Sequence, residues 1–301
     1  MKFNKRKLAL LMTGLMLVMS PVSVWADRED AKLEKPYVSL GADLSANDRA
    51  IVLKLLGVTE DDLKNYTVTT ITNADEHKYL DSYLSKSVIG TRALSSVLVK
   101  EKTDGSGIKV TTYNITYCTT GMYQNALATA GIEDAEIVVA GPYNISGTAA
   151  LVGAIKSYEN MTGETVSKEN VDTATNELVV TGKLAESVGD SDKAEQLVGA
   201  VKEQVVEGSD NGKELTEEEI GNVVDQAAQE MDVQLSDEDR QEIVALMDKI
   251  KGLDIDVDSL KEQAKDLYDK IDDLGLKLDW NQEKVQGFFS KIIEFFKNLF
   301  S

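Results

Sequence analysis

The spacing of hydrophobic and polar positions differs between the two halves of the chain. In the first half, segments with helical spacing alternate with short runs of β-branched residues, of which residues 66–72 (YTVTTIT) are the clearest strand signal. In the second half, apolar residues recur every three or four positions almost throughout, which is typical of helices. The pattern predicts an α/β or α+β layered domain at residues 27–165, an acidic, mainly α-helical region at 166–280, and an amphipathic C-terminal helix at 281–301.

Turn and cap residues place the elements of the layered domain. Residues 91–100 and 108–118 flank a Thr-Asp-Gly-Ser-Gly turn and are predicted to pair as a hairpin. A short buried strand is expected at 137–140. Residues with N-cap chemistry are expected to begin the helices: Ser45, Asn73, Thr119, and either Ser146 or Thr148.

Capping signals also divide the helical region. Thr216 and Glu219 have the spacing of a capping box, and Ser236 and Asp239 form a close variant. Farther along, apolar residues follow a heptad seam at Leu260, Ala264, Leu267, Ile271 and Leu274. A seam this short predicts a small bundle rather than a long coiled coil, and its helices could also self-associate.

The N-terminal segment has the three parts of a signal peptide. Four basic residues precede the apolar run from Leu8 to Met19, and Val24 and Ala26 are suited to the positions before a cleavage site. We expect cleavage after Ala26 and a secreted or cell-envelope location. An uncleaved membrane anchor is the alternative.

Charge and composition exclude several classes of function. The chain has 52 acidic and 32 basic side chains, which argues against nucleic acid as a partner. One Cys and one His are too few for a Cys/His metal site. Asp254, Asp256 and Asp258 have the first three spacings of a calcium loop, but Ser259 and Lys265 replace the Gly and Glu that such a loop needs. No metal and no cofactor is predicted.

Cys118 and His77 are the only Cys and the only His of the chain, and as a nucleophile pair they give the sharpest enzyme hypothesis. Cys118 lies where a strand gives way to the predicted helix at Thr119, and a helix N-terminus lowers the pKa of a thiol. An enzyme could therefore use Cys118 as nucleophile and His77 as base. The simpler interpretation makes Cys118 a small buried side chain and His77 part of a helix start.

The segment GPYNISGT resembles a phosphate loop in its position between a strand and a helix. Its glycines are too far apart, and Thr148 stands where a phosphate loop has Lys. A helix N-terminus with free N–H groups remains, so Ser146, Gly147 and Thr148 are a candidate anion site. A plain strand-to-helix turn explains the same residues.

The last residues of the chain form an apolar stripe at helical spacing, with Trp280 just before it. Polar residues occupy the other side of the helix, and charged residues among them argue against a membrane span. The stripe could bind a membrane or a partner, or it could pack on its own chain. Its residues are Phe288, Phe289, Ile292, Ile293, Phe295, Phe296, Leu299 and Phe300.

Five segments carry a resemblance to a known family. They are ITNADEHKYLDSYL, IGTRALSSVLV, GSGIKVTTYNITYC, GMYQNALATAGI and VAGPYNISGTAALVGAIKSYENMTG. The chain resembles the YpuA-like exported proteins of Gram-positive bacteria, a family built on a domain of unknown function. The resemblance implies a secreted or envelope protein, and it transfers no catalytic residue.

Together these observations favour an exported binding or structural protein over an enzyme. Its partner would be an unknown envelope component or a membrane surface, reached through the C-terminal helix. The alternative is an extracellular enzyme with Cys118 and His77 at its site.

Overall fold

The computed structural model describes residues 35–103, 105–163, 165–210, 215–253, 255 and 260. Several predictions fall elsewhere: the signal peptide, the three aspartates of the rejected calcium loop, the heptad seam after Leu260, and the C-terminal stripe with Trp280 lie outside the described residues. Within the described ranges, no helix is long and apolar enough to cross a membrane.

The described part of the chain contains a five-stranded sheet followed by long helices. The strands are β1 Tyr37–Gly41, β2 Thr67–Ile71, β3 Ser96–Glu101, β4 Ile108–Ile115 and β5 Ala135–Ile145. The helices are α1 Ala46–Leu55, α2 Asn73–Leu80, α3 Lys86–Ile89, α4 Thr120–Thr129, α5 Thr148–Thr162, α6 Lys168–Val188, α7 Ser191–Asp210, α8 Glu217–Glu230 and α9 Asp237–Ile250, with a 3₁₀ turn at Asp62–Asn65. An α/β or α+β fold class fits this content.

The sheet has the strand order β2-β1-β3-β5-β4. Strand β1 is parallel to β2, and β4 is parallel to β5, while β3 is antiparallel to its neighbours β1 and β5. Four strands therefore end at one edge of the sheet, and β3 begins there. Strand β1 was not predicted, because its residues are buried throughout and show no alternation of apolar and polar positions.

The predicted hairpin of β3 and β4 is wrong, since β5 lies between them. The carboxylate of Asp134, just before β5, accepts hydrogen bonds from the backbone N–H of Gly105 at 3.1 Å and of Gly107 at 2.8 Å. The Gly-rich turn is thus bound to the start of β5. The turn therefore connects β3 to β4 across the intervening strand β5. A hairpin prediction assumes instead that the two strands on either side of a turn pair with each other. The predicted strand at 137–140 is the centre of the longer β5.

Helices cover both faces of the sheet. Val38 and Leu40 of β1 and Leu98 of β3 face α1, in a small apolar cluster. On the opposite face, α5 packs against β1, β2 and β3. A Cβ atom added to Gly153 of α5 would lie 3.1 Å from Ser39 Cβ, so α5 approaches the sheet closely. This close packing fixes the direction of α5 and the position of its first turn.

Most of the predicted helix starts are confirmed. The side chains of Ser45, Thr119, Thr216 and Ser236 each accept a hydrogen bond from the backbone N–H three residues later. Two starts differ from the prediction. The N-cap of α5 is Gly147 and not Ser146 or Thr148, because the backbone there has φ +100°, which glycine adopts without strain. The N-cap of α2 is Thr72 and not Asn73. Thr72 and Asp75 form a capping box, which outcompetes Asn73 because it satisfies two backbone N–H groups at once.

The helical region continues the same hydrophobic core. Helix α6 packs on α4, α7 and α9, and one cluster of buried apolar residues extends from β1 to α9. The change in composition near residue 165 falls in the connection between α5 and α6.

Candidate functional site

A pocket opens at the edge of the sheet where β4 and β5 end and β3 begins. Its volume is about 380 Å³, and residues of α2, α3 and the first turn of α5 complete its walls. This size lies in the range of small-molecule sites. Ligands of α/β proteins commonly bind outside the carboxyl ends of parallel strands, and β4 and β5 are such a pair.

Glu76 of α2 is the acidic group of the pocket wall. Its side chain is almost fully buried, at 1% exposure. Oε1 accepts a hydrogen bond of 2.7 Å from Thr148 Oγ1, and Oε2 accepts one of 3.1 Å from Asn73 Nδ2. Burial raises the pKa of Glu76, although the hydrogen bonds from Thr148 and Asn73 and the electrostatic interaction with His77 act in the other direction. None of the ion pairs among the described residues includes this carboxylate.

The first turn of α5 is held rigidly beside Glu76. Gly147, the N-cap, has φ +100°, and its carbonyl oxygen accepts a 2.6 Å hydrogen bond from Tyr123 Oη. Ser95 Oγ accepts a hydrogen bond of 2.9 Å from the N–H of Ala150. Because these groups are fixed by buried partners from other elements, this wall of the pocket is formed before any ligand binds.

The three residues of the predicted anion site, Ser146, Gly147 and Thr148, all line this pocket. The hydroxyl of Thr148 donates to Glu76, however, and the N–H of Ala150 already donates to Ser95 Oγ. An anion at this helix start would lie beside a buried carboxylate. The arrangement therefore favours a hydrogen-bond donor or a cation at the inner end of the pocket.

The rim of the pocket carries the opposite charge. Arg92, in the connection between α3 and β3, is exposed, and its Nη2 donates a 2.7 Å hydrogen bond to Tyr143 Oη. Tyr143 is 45% exposed and lies near the end of β5. Arg92 forms no ion pair with any of the described residues. Its charge is available to a ligand.

Cys118 and His77 occupy different environments. Cys118 is fully buried, and burial raises the pKa of its thiol to about 12. This shift is opposite to the lowering expected at a helix N-terminus, because the thiol is enclosed by apolar packing and is exposed to no solvent. His77 Nδ1 lies 2.6 Å from Asp81 Oδ1 on the outer side of α2. Within the described ranges, no hydrogen bond joins the two residues.

The sequence did not single out Glu76 or Arg92. Glu76 falls in the first turn of a helix, where acidic residues are common for a reason unrelated to binding. Arg92 stands in an irregular connection whose neighbours show no motif. The pocket arises from segments more than 70 residues apart, so no local pattern could have indicated it.

The comparisons with known proteins agree on one family. The model of the family described as "Protein of unknown function (DUF1002)" matches residues 40–267. The chain is 36% identical over 297 residues to the protein of Bacillus subtilis (strain 168) that bears the name "Uncharacterized protein YpuA", with 98% of this chain and 96% of the relative covered. No solved structure matches the chain. The match over most of the chain confirms the resemblance in the five sequence segments: the protein belongs to the DUF1002 family.

Proposed function

We propose that the protein is an exported binding protein of the cell envelope and that the pocket beside α5 holds its ligand. The observation that carries the proposal is Glu76, a carboxylate at 1% exposure in the wall of an open pocket, with neutral hydrogen-bond partners. Burying a carboxylate without a cation lowers the stability of a fold. A ligand that pairs with the carboxylate would offset this cost.

Binding suits the pocket better than catalysis. Thr148 donates to the carboxylate of Glu76 and Ser95 accepts from the N–H of Ala150, so both hydroxyls hold the pocket wall together. The buried thiol of Cys118, with its raised pKa, does not favour the alternative of an enzyme that uses Cys118 and His77.

The rest of the proposal follows from the sequence. Residues 1–26 would direct export, the layered domain at 27–165 would present the pocket, and the acidic helices at 166–280 would act as a spacer or self-associate. The amphipathic helix at 281–301 would attach the protein to a membrane surface or an envelope partner through its Phe-rich stripe.

A ligand screen with two matched variants tests the pocket. The purified protein is screened by saturation-transfer NMR against small amino acids, sugars, polyols and nucleosides. Thr91→Trp fills the pocket from its exposed rim, and Thr111→Trp places the same side chain on the exposed face of β4, away from the pocket. We expect ligands that bind the wild-type protein and Thr111→Trp but not Thr91→Trp. Binding that is equal in both variants would contradict the proposal.

Vesicle co-sedimentation tests the attachment. We expect the protein to pellet with phosphatidylglycerol vesicles, and Phe289→Ser with Phe296→Ser to abolish pelleting. Asn298→Ser, on the polar side of the predicted helix, is the control. If the Phe variant pellets as well as the control, membrane attachment through the stripe is wrong.

A further inference from the structure

Two residues that line the pocket carry charges of opposite sign. Glu76 is buried, and Arg92 is exposed at the rim. Each is hydrogen-bonded to neutral groups: Glu76 to a hydroxyl and an amide, Arg92 to the phenol of Tyr143. Neither forms an ion pair with another described residue. Within the part of the chain that the structure describes, neither charge is therefore paired with a counter-charge.

The wall of the pocket is partly apolar. Ile89, Leu94 and Ile145 line it together with small hydroxyl side chains. The hydroxyl of Thr116 already donates to the Ile145 carbonyl, at 3.1 Å, and Ser95 is bound to α5. A ligand would meet this aliphatic surface together with the two charges, in a volume of about 380 Å³.

We propose that the ligand is a small amino acid or a short peptide, whose ammonium group pairs with Glu76 and whose carboxylate pairs with Arg92. This inference rests on the proposed binding function of the pocket and specifies the class of ligand. Charge-assisted hydrogen bonds at both ends would fix the orientation of such a molecule.

Other classes of small ligand would pair with only one of the two charges, or with neither. A simple amine would pair with Glu76 and leave Arg92 without an anion. A simple carboxylate would pair with Arg92, but its apolar part would lie beside Glu76 and leave that carboxylate without a cation. A polyol would leave both charges without a counter-charge. A zwitterion with an aliphatic part between its charges would pair with both and contact the apolar part of the wall.

Calorimetric titration of the purified protein tests this class. The probes are alanine, alanyl-alanine and trialanine, which differ in the distance between their charges. Alaninamide lacks the carboxylate, and N-acetylalanine lacks the ammonium group. We expect at least one of the first three to bind. Alaninamide and N-acetylalanine, which each lack one of the two charges, should each bind about tenfold more weakly or worse. The best of the three reports whether the pocket takes a free amino acid or a peptide.

Three variants test which residue pairs with each charge of the ligand. Arg92→Gln should weaken the zwitterion by about tenfold and leave alaninamide unchanged. Glu76→Gln should weaken the zwitterion similarly and leave N-acetylalanine unchanged. Lys86→Gln removes a neighbouring exposed cation that does not line the pocket and should change nothing. Arg92 is a surface residue, so its variant remains informative even if Glu76→Gln folds poorly.

The outcomes separate this inference from the proposed function. If none of the three zwitterions binds at millimolar concentration, or if binding is insensitive to Arg92→Gln, the ligand class is wrong. In that case a neutral ligand from the NMR screen whose binding Thr91→Trp abolishes would still support the pocket as the binding site. If no ligand of either set responds to Thr91→Trp, the proposed function itself fails.

Discussion

Thr148 Oγ1 donates a hydrogen bond of 2.7 Å to Oε1 of Glu76, joining two residues that are 72 positions apart. The bond links the first turn of α5 to α2 at the wall of the pocket. It gives a buried carboxylate one of its two hydrogen bonds, and it orients that carboxylate within the pocket. The site therefore depends on a contact that also contributes to stability.

Replacing Thr148 by Val removes this bond while preserving the shape of the side chain. We expect Thr148→Val to lower the free energy of unfolding by about 1 to 3 kcal/mol, because a buried carboxylate loses a donor. Thr148→Ser keeps the hydroxyl and should cost less. Urea unfolding at neutral pH measures both, and equal losses for Val and Ser would show that the bond contributes little.

Gly147 has no room for a side chain. With φ +100°, a Cβ atom there would lie 2.7 Å from Tyr123 Oη and 2.7 Å from Ile115 Cγ2. We expect Gly147→Ala to destabilise the protein by about 2 to 4 kcal/mol through backbone strain and overpacking. Gly163→Ala is the control, since Gly163 has φ +71° with no atom within 4 Å of the added Cβ, and it should lose only about 1 kcal/mol. Similar losses would rule out the clash as the cause.

A buried ion pair joins α6 to α7. Lys202 Nζ lies 2.9 Å from Glu177 Oε1, and the two side chains are 2% and 0% exposed. Lys202 also donates to the carbonyl oxygen of Asn125 at 2.8 Å, and Thr129 donates to the other oxygen of Glu177. Burial lowers the pKa of Lys202, and the charge of Glu177 opposes that shift.

Breaking this pair on one side should be costly. We expect Lys202→Met to reduce the free energy of unfolding by about 3 to 5 kcal/mol, because Glu177 is then a buried charge without a counter-charge. The double variant Lys202→Met with Glu177→Leu should recover much of that loss. Chemical denaturation of Lys202→Met, Glu177→Leu and the double variant measures the coupling, and a double-variant loss equal to the sum of the two single losses would mean that the charges do not interact.

The pH dependence of stability should show the contribution of Asp75. Although its partial burial acts in the other direction, hydrogen bonds from Lys156 and Thr72 lower the pKa of Asp75 from 3.8 to about 2. A lowered pKa in the folded state stabilises the fold above the unfolded pKa, and this contribution is lost as pH falls from about 4 towards 2.

We expect the wild-type protein to exceed Asp75→Asn in stability by about 1 to 2 kcal/mol at neutral pH, and the difference to shrink below about pH 4. Urea unfolding at a series of pH values measures it. A difference that stays constant down to about pH 2 would show that the charge of Asp75 is not the cause.

Cys118 should be inert in the folded protein. Its thiol is fully buried with a pKa of about 12, so little thiolate exists at neutral pH. We expect iodoacetamide to label the native protein far more slowly than glutathione, and the urea-unfolded protein at the rate of an ordinary thiol. His77→Gln should not change the native rate. Native labelling as fast as that of glutathione would support the Cys118 and His77 enzyme instead.

The helix starts were predictable because their physics is local. Ser45, Thr119, Thr216 and Ser236 each bond to a backbone group three residues away, so the residues that determine the cap are adjacent in the sequence. Thr72 shows the limit of this reasoning, since two neighbouring residues had cap chemistry and only the paired hydrogen bonds with Asp75 decided between them.

The sequence by itself determined the family, the fold class and most of the helix starts, because those depend on residue types and short spacings. Only the tertiary structure decided that β5 lies between β3 and β4 and that Glu76 and Arg92 line the same pocket. Both depend on contacts between distant residues: Asp134 binds Gly107 across 27 positions, and Thr148 reaches Glu76 across 72. Such contacts are set by the packing of whole elements, and a local sequence pattern does not contain them.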